Sequence, residues 1–334
     1  MIALAGAFLV AMTITTLTTP GVIALATRWN VMAIPRDRDV HEVPTPRWGG
    51  IAIYAGVIVA VVLSVSYRHW RTDGVNGWTW QLAGLLLAAT WVALIGMLDD
   101  VRDLRPIWQI GGIVVAAMIL IAFGVRIEGV TRPFVESNGA GYDPARWIPL
   151  GLPISIAVTV FWVLLVTKTV DAIDGLDGLA AGVCAISSAT LALLAAASRQ
   201  AGGPAIALVA AAVAGACIGF LRYNYSPAKV FMSTVGAQFL GLMLAGISIM
   251  GTFKVAAAVS VLLPILVLGV PIFDFGIVLL KRILNKAPLT LGDRRHIHHR
   301  LLDRGLSHRQ AVWVIYGCTL VLCVAAVVLF SVSR

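Results

Sequence analysis

Asp171-Ala172-Ile173-Asp174-Gly175-Leu176-Asp177-Gly178-Leu179-Ala180 sets three carboxylates at i, i+3 and i+6 between two long apolar runs, 150–169 and 178–198. Charge in or beside a bilayer is expensive, so ionisable residues in such a place mark a functional site by default. Three anions within two helical turns also repel one another unless a cation, a proton or a phosphate partner intervenes. A second acidic pair, Asp99-Asp100, closes another apolar run at Gly96-Met97-Leu98. The plainer reading is a set of solvated loop carboxylates just outside the membrane.

The rest of the chain is as apolar as these flanks. Of its 334 residues 59% are hydrophobic and only 12% charged, about half the charge of a soluble domain. The expected fold is an all-α polytopic membrane protein, one integral-membrane domain over 1–334, with about ten transmembrane helices and a cytoplasmic active-site cleft. At about 20 apolar residues per crossing, the spans fall near 3–27, 49–66, 79–98, 107–124, 150–169, 178–198, 203–221, 235–252, 254–281 and 310–331. The ninth holds Pro264, Pro271 and Asp274 and is expected to be kinked or broken. Small residues such as Ala180-Ala181-Gly182 and Ala214-Gly215-Ala216 allow close helix packing. Cys184, Cys217, Cys318 and Cys323 lie inside apolar runs without ligand spacing and read as packing residues. The first apolar run lacks a charged n-region and a cleavage site, so it reads as a retained span.

Alternating loops put 17 of the 25 Lys and Arg, and 11 of the 16 Asp and Glu, on one face. The positive-inside rule makes that face cytoplasmic and both termini external. The net charge of +9 is spread over short loops, which points to anionic lipid and a phosphorylated substrate, not to nucleic acid.

Four further segments carry chemistry. Pro44-Thr45-Pro46-Arg47-Trp48-Gly49-Gly50 combines an extended path with glycines that permit close backbone approach, or is an ordinary topogenic loop. Asp99-Asp100 at a helix C-terminus opposes the macrodipole, which suits a metal or proton-transfer task better than folding. Gly292-Asp293-Arg294-Arg295-His296-Ile297-His298-His299-Arg300-Leu301 lacks structural-zinc spacing. Guanidinium forks and imidazoles match diphosphate oxygens; a lipid-binding basic loop is the alternative. Leu221-Arg222-Tyr223-Asn224-Tyr225-Ser226-Pro227-Ala228-Lys229-Val230-Phe231-Met232 could stack a base or form an interfacial aromatic belt.

Together and in this order, these blocks, with Gly269-Val270-Pro271-Ile272-Phe273-Asp274, resemble the polyprenyl-phosphate N-acetylhexosamine-1-phosphate transferases. The His-Ile-His-His-Arg-Leu form is closer to the N-acetylglucosamine-type branch than to the peptidoglycan branch. The resemblance implies transfer of a sugar 1-phosphate from a UDP-sugar to undecaprenyl phosphate, releasing UMP, at the cytoplasmic face of the bacterial plasma membrane. Mg2+ is the implied cofactor, with Mn2+ as the alternative ion. Membrane lipid and a second copy of the chain are the other partners it suggests. By the same resemblance Asp99, Asp100, Asp174 and His298 would be catalytic, Asp177 a metal ligand, and Asn224, Phe231 and His299 substrate-binding. Arg47, Arg295, His296 and Arg300 are further candidates to bind substrate, and Lys168 and Asp171, which differ from the family, are a candidate substrate-binding cation and a candidate metal ligand.

The chain departs from the family at three places. The usual Gly-Asp-x-Gly-Ser after Phe-Met, whose Asp is a principal Mg2+ ligand, reads Ser233-Thr234-Val235-Gly236-Ala237, so Thr234 stands where the Asp belongs. A hydroxyl is a poor ligand for hard Mg2+. The family's Thr-Asn-x-x-Asn is Thr167-Lys168-Thr169-Val170-Asp171, and Gln109 takes the approximate place of a Lys common after the acidic pair. Three outcomes are open. Asp171 supplies the missing carboxylate with Lys168 as an added cation, or Lys168 replaces the metal altogether. Otherwise the chain is a degenerate homologue that binds without catalysis. A transporter would place acids mid-span with inverted repeats, a pattern only Asp274 approaches.

Overall fold

The computed structural model describes residues 2–35, 43–72, 77–131, 147–198, 202–251, 257–285 and 296–332. The described elements are α1 (Ile2–Arg28), β1 (Met32–Ala33), β2 (Thr45–Pro46), α2 (Gly49–Thr72), α3 (Gly77–Arg102) and α4 (Pro106–Ala122). They continue as β3 (Gly129–Thr131), β4 (Trp147–Pro149), α5 (Leu152–Ile173), α6 (Leu179–Ala197), α7 (Gly203–Asn224) and α8 (Ser233–Met250). The chain closes with α9 (Ala257–Val267), α10 (Gly269–Leu284), α11 (Ile297–Asp303) and α12 (His308–Val332).

Among the described residues, eight helices are long and apolar enough to cross a membrane: α1, α2, α3, α5, α6, α7, α8 and α12. The other two expected crossings differ from simple rods. Helix α4 has 17 residues, about 26 Å at 1.5 Å per residue, a little under the ~30 Å hydrocarbon layer. The expected 254–281 span is two helices, α9 and α10, separated at Leu268. Pro271 falls in the first turn of α10, where its missing N–H breaks no helical bond.

Helix direction alternates, so the C-terminal ends of α1, α3, α5 and α7 meet the N-terminal ends of α2, α6, α8 and α12. Antiparallel pairing of β1 with β2 (Met32↔Pro46, Ala33↔Thr45) folds the chain back from α1 toward α2 at that end. A second small hairpin, β3 with β4, links α4 and α5 at the other. Helix α8 is the axis of the bundle, packed by α2, α3 and α5 and buried at every position from Val235 to Ile249. A helix apolar all round belongs inside such a bundle. Outer helices instead present apolar side chains outward, as Leu17, Phe161 and Val321 do. Close packing falls where the small residues lie: a Cβ at Gly215 would sit 2.1 Å from Phe8 O, and one at Gly182 2.0 Å from the Tyr316 ring.

Candidate functional site

The site is assembled around the first turn of α8. A helix N-terminus leaves N–H groups without intrahelical partners and carries partial positive charge, so it attracts carboxylates. Asp100 fills that role: Oδ1 accepts from Thr234 N–H at 3.2 Å and Oδ2 from Val235 N–H at 3.4 Å. Its approach requires Gly96 one turn earlier, where a Cβ would lie 2.5 Å from Val235 Cα. Asp174 reaches the same turn and accepts from the Ser233 backbone. Two carboxylates, 74 residues apart in sequence, therefore converge on Ser233-Thr234-Val235.

The proline-glycine block docks onto the other side of this turn. Phe231 N–H donates to Pro46 O at 2.9 Å, Gly49 N–H to Phe231 O at 2.9 Å and Gly50 N–H to Met232 O at 3.1 Å. A Cβ at Gly50 would stand 2.2 Å from Gly236 Cα, so the backbones touch. Trp48 and Ser233 flank the contact with φ of 73° and 59°, each costing about 1–3 kcal/mol in a non-glycine residue. Such strain persists only where surrounding contacts over-determine it, here the interstrand-like bonds between the two segments. Arg47 reaches from this block toward the acidic pair, with Nη1 3.4 Å from Asp100 O and 3.7 Å from Asp103 Oδ1.

Asp99 faces away from α8. Its Oδ1 accepts from Leu104 N–H (3.0 Å) and from Gln109 Nε2 (2.8 Å). The Gln109 carbonyl in turn accepts from Lys168 Nζ at 3.0 Å, and Lys168 pairs with Asp171 Oδ2 at 2.5 Å. A continuous polar row thus runs Asp99–Gln109–Lys168–Asp171 across α3, α4 and α5. Asp177 Oδ2 accepts from Ala228 N–H at 3.0 Å, and its own N–H donates to His308 Nε2 at 3.3 Å. Burial, reinforced by repulsion from Asp171 and Asp177, raises the Asp174 carboxyl from 3.8 to about 7.

The histidine segment is fastened from below. Asp274 on α10 accepts from the Ile297 N–H at 2.7 Å, capping α11, and holds His296 Nδ1 at 2.8 Å. This points the next imidazole inward: a Cβ on Gly175 would meet His298 Nε2 at 2.5 Å. His298 is 2% exposed, and its Nδ1 has no hydrogen-bond partner among the described residues. Burial, with His299 and His296 beside it, lowers His298 to about 3, so it is neutral at physiological pH. His299 lies against it with ring centroids 4.3 Å apart.

Most expected residues therefore gather at one end of the bundle: Asp99, Asp100, Asp171, Asp174, Asp177, Arg47, Lys168, Phe231, His296, His298 and His299. Asn224 is there as well, with its amide bonded on both sides. Its Oδ1 accepts from Gly178 N–H at 3.0 Å and its Nδ2 donates to Val230 O at 2.9 Å. Both ends of the amide staple loop to loop. Arg300 is on the exposed side of α11, and Arg295 lies outside the described residues. Sequence reasoning left out Asp274, Gln109 and His308 as site residues. For Asp274 the signal was its position inside an apolar stretch, and for Gln109 its place where the family has a Lys; nothing local marked His308.

Residues 82–252 match the family described as glycosyl transferase family 4, and relatives match over 75–100% of the chain. One from Bacillus subtilis (strain 168), a probable undecaprenyl-phosphate N-acetylglucosaminyl 1-phosphate transferase, is 34% identical over 338 residues, covering 100% of this chain and 87% of that one. The chain belongs to glycosyl transferase family 4. A second relative, the decaprenyl-phosphate N-acetylglucosaminephosphotransferase of Mycobacterium leprae (strain TN), is 34% identical over 308 residues, 87% of this chain and 75% of the relative. The phospho-N-acetylmuramoyl-pentapeptide-transferase of Mycolicibacterium paratuberculosis is 30% identical over 283 residues, 75% and 77% of the two chains. The resemblance drawn from the motifs stands.

The Mg2+ that this family resemblance implies can be tested on the donor set. Mg2+ prefers carboxylate oxygens in near-octahedral array. Here Thr234 offers a hydroxyl in place of a carboxylate, Asp171 is already paired with an ammonium, and one Asp177 oxygen is bonded to a backbone N–H. Among the described residues no group of three or more His, Cys, Asp or Glu side chains surrounds a common point. The residues do not fit a resident divalent ion.

Proposed function

We propose that this family 4 enzyme transfers N-acetylglucosamine 1-phosphate from a UDP-sugar to undecaprenyl phosphate and releases UMP. The observation that carries this reading is the convergence of Asp100, Asp174 and the Pro46–Gly50 segment on the first turn of α8, with His298 against Gly175. Relatives named as polyprenyl-phosphate N-acetylglucosamine phosphotransferases match 100% and 87% of the chain, which supports the same assignment.

In the reaction, an oxygen of the lipid phosphate attacks the β-phosphorus of the donor. A new P–O bond forms, and the bond from the β-phosphorus to the bridging oxygen breaks. The bridging oxygen leaves with the electron pair as the phosphate of UMP. Little covalent chemistry falls to the protein, so positioning and electrostatics dominate. Asp99 and Asp100 bound the acceptor side of the cleft, where they orient the lipid phosphate and exclude bulk water. Asp174, with a carboxyl that exchanges its proton near neutrality, suits removal of the last proton from the attacking phosphate. Neutral His298 donates a hydrogen bond to a diphosphate oxygen without fixing a charge there. No divalent ion is assigned a step. The basic-residue asymmetry supports a cytoplasmic cleft in a bacterial plasma membrane, with both chain ends on the outer side.

The test is incubation of purified protein with undecaprenyl phosphate and a panel of UDP-sugars, scoring UMP release. Fastest release is expected with UDP-N-acetylglucosamine. Binding of donors without UMP from any of them would replace this reading with a non-catalytic homologue.

A further inference from the structure

Two phosphate-bearing substrates cannot meet beside the five aspartates gathered at this end of the bundle unless fixed positive charge offsets their repulsion. Among the described residues, several cations stand at this end of the bundle. Arg222, Lys229 and Arg300 are exposed, and Arg47 is directed at the Asp100 carbonyl and Asp103. Lys168 is placed differently. Its ammonium lies between the two acidic motifs, held by Asp171 on one side and by Gln109 on the other. Gln109 is itself oriented by Asp99. An ammonium has three protons to donate; two are directed at Asp171 and Gln109, leaving one. The side chain is 25% exposed, so it is not sealed inside the bundle. A carboxylate partner holds the ammonium in place, while the neutral Gln109 adds no second cation to repel it.

We propose that Lys168 is the phosphate-binding cation of this site, performing with a tethered ammonium the charge neutralisation that a divalent ion would otherwise supply. A lysine binds phosphate as a compact point charge, without the bidentate geometry of arginine. The proposal rests on the transfer reaction inferred above, and it explains three departures at once. Thr234 removes a carboxylate, Lys168 adds a cation, and Gln109 is the neutral strut that aims it.

The experiment measures UMP release by the full-length protein with UDP-N-acetylglucosamine and undecaprenyl phosphate, in excess EDTA and in millimolar Mg2+. Calorimetric donor binding in EDTA is measured alongside. Wild-type turnover in EDTA is expected within about threefold of that in Mg2+. The pair variant Lys168→Met/Asp171→Asn, which leaves no unpaired carboxylate behind, is expected to lose at least a hundredfold in turnover and tenfold in donor affinity. Lys168→Arg should recover part of both, and Lys168→Asn/Thr234→Asp should become dependent on Mg2+. Turnover that vanishes in EDTA and returns with Mg2+ overturns the proposal while leaving the transferase reading intact. Equal donor affinity for wild type and the pair variant overturns it too, even in a protein that makes no UMP. That second condition separates failure of the lysine's role from failure of the reaction assignment.

Discussion

Replacing Gly50 by Ala tests whether backbone contact between α2 and α8 positions the site. The added Cβ would stand 2.2 Å from both Cα and N of Gly236, whereas ordinary carbon contacts begin near 3.4 Å. Neither obstacle is a flexible side chain, so the two helix starts must separate by roughly 1.2 Å. That movement loosens the 3.1 Å bond from Gly50 to Met232 and shifts the turn on which Asp100 rests. Overpacking of this kind costs about 1–3 kcal/mol in stability. Misplacement of reacting groups by about 1 Å costs on the order of 10²-fold in rate. The expected variant is folded, with a melting temperature lower by several degrees and turnover reduced about a hundredfold. The assay is UMP release in lipid nanodiscs, with thermal denaturation followed in parallel. A folded Gly50→Ala protein within threefold of wild-type turnover would refute the idea that this contact sets the geometry.

Asp274→Ala removes two hydrogen bonds to a carboxylate, each worth about 1.5–3 kcal/mol. Amide exchange over 297–303 should accelerate and turnover fall at least tenfold; unchanged exchange would show that the histidine segment is held some other way. Asn224→Ala leaves the Gly178 N–H and the Val230 carbonyl without their partner, at about 1–3 kcal/mol each. A lowered melting temperature with an unaltered donor KM is expected, and the reverse pattern would return Asn224 to the nucleotide. Asp174 has a folded pKa of about 7 against 3.8, so the fold favours its protonated form. Its contribution is fully present below pH 3.8 and is lost as pH rises through 7, a change of up to about 4 kcal/mol. The melting temperature of Asp174→Asn relative to wild type should therefore climb between pH 4 and 7 and then level off; a constant offset across that range would contradict the burial.

The apolar runs and the collection of charge at their ends were legible from the chain because transfer into a bilayer is nearly additive over neighbouring residues, although eight of the ten expected crossings are helices long enough to span among the described residues. So were the acidic motifs, since a carboxylate near hydrocarbon has few structural excuses. The partition of the ninth span was foreshadowed by Pro264 and Pro271, although its break at Leu268 depended on packing. What the individual carboxylates and amides do was not legible. The bonds from Asn224 to Gly178 and Val230 could not be read from the chain, and Gln109 shows what it orients only beside Lys168, 59 residues away. Hydropathy is a local property of a segment and survives in one dimension. Which loop touches which is set by how closely α2, α3 and α8 approach. That distance is fixed by the missing side chains of Gly50, Gly96 and Gly236, and only the folded bundle brings those absences together.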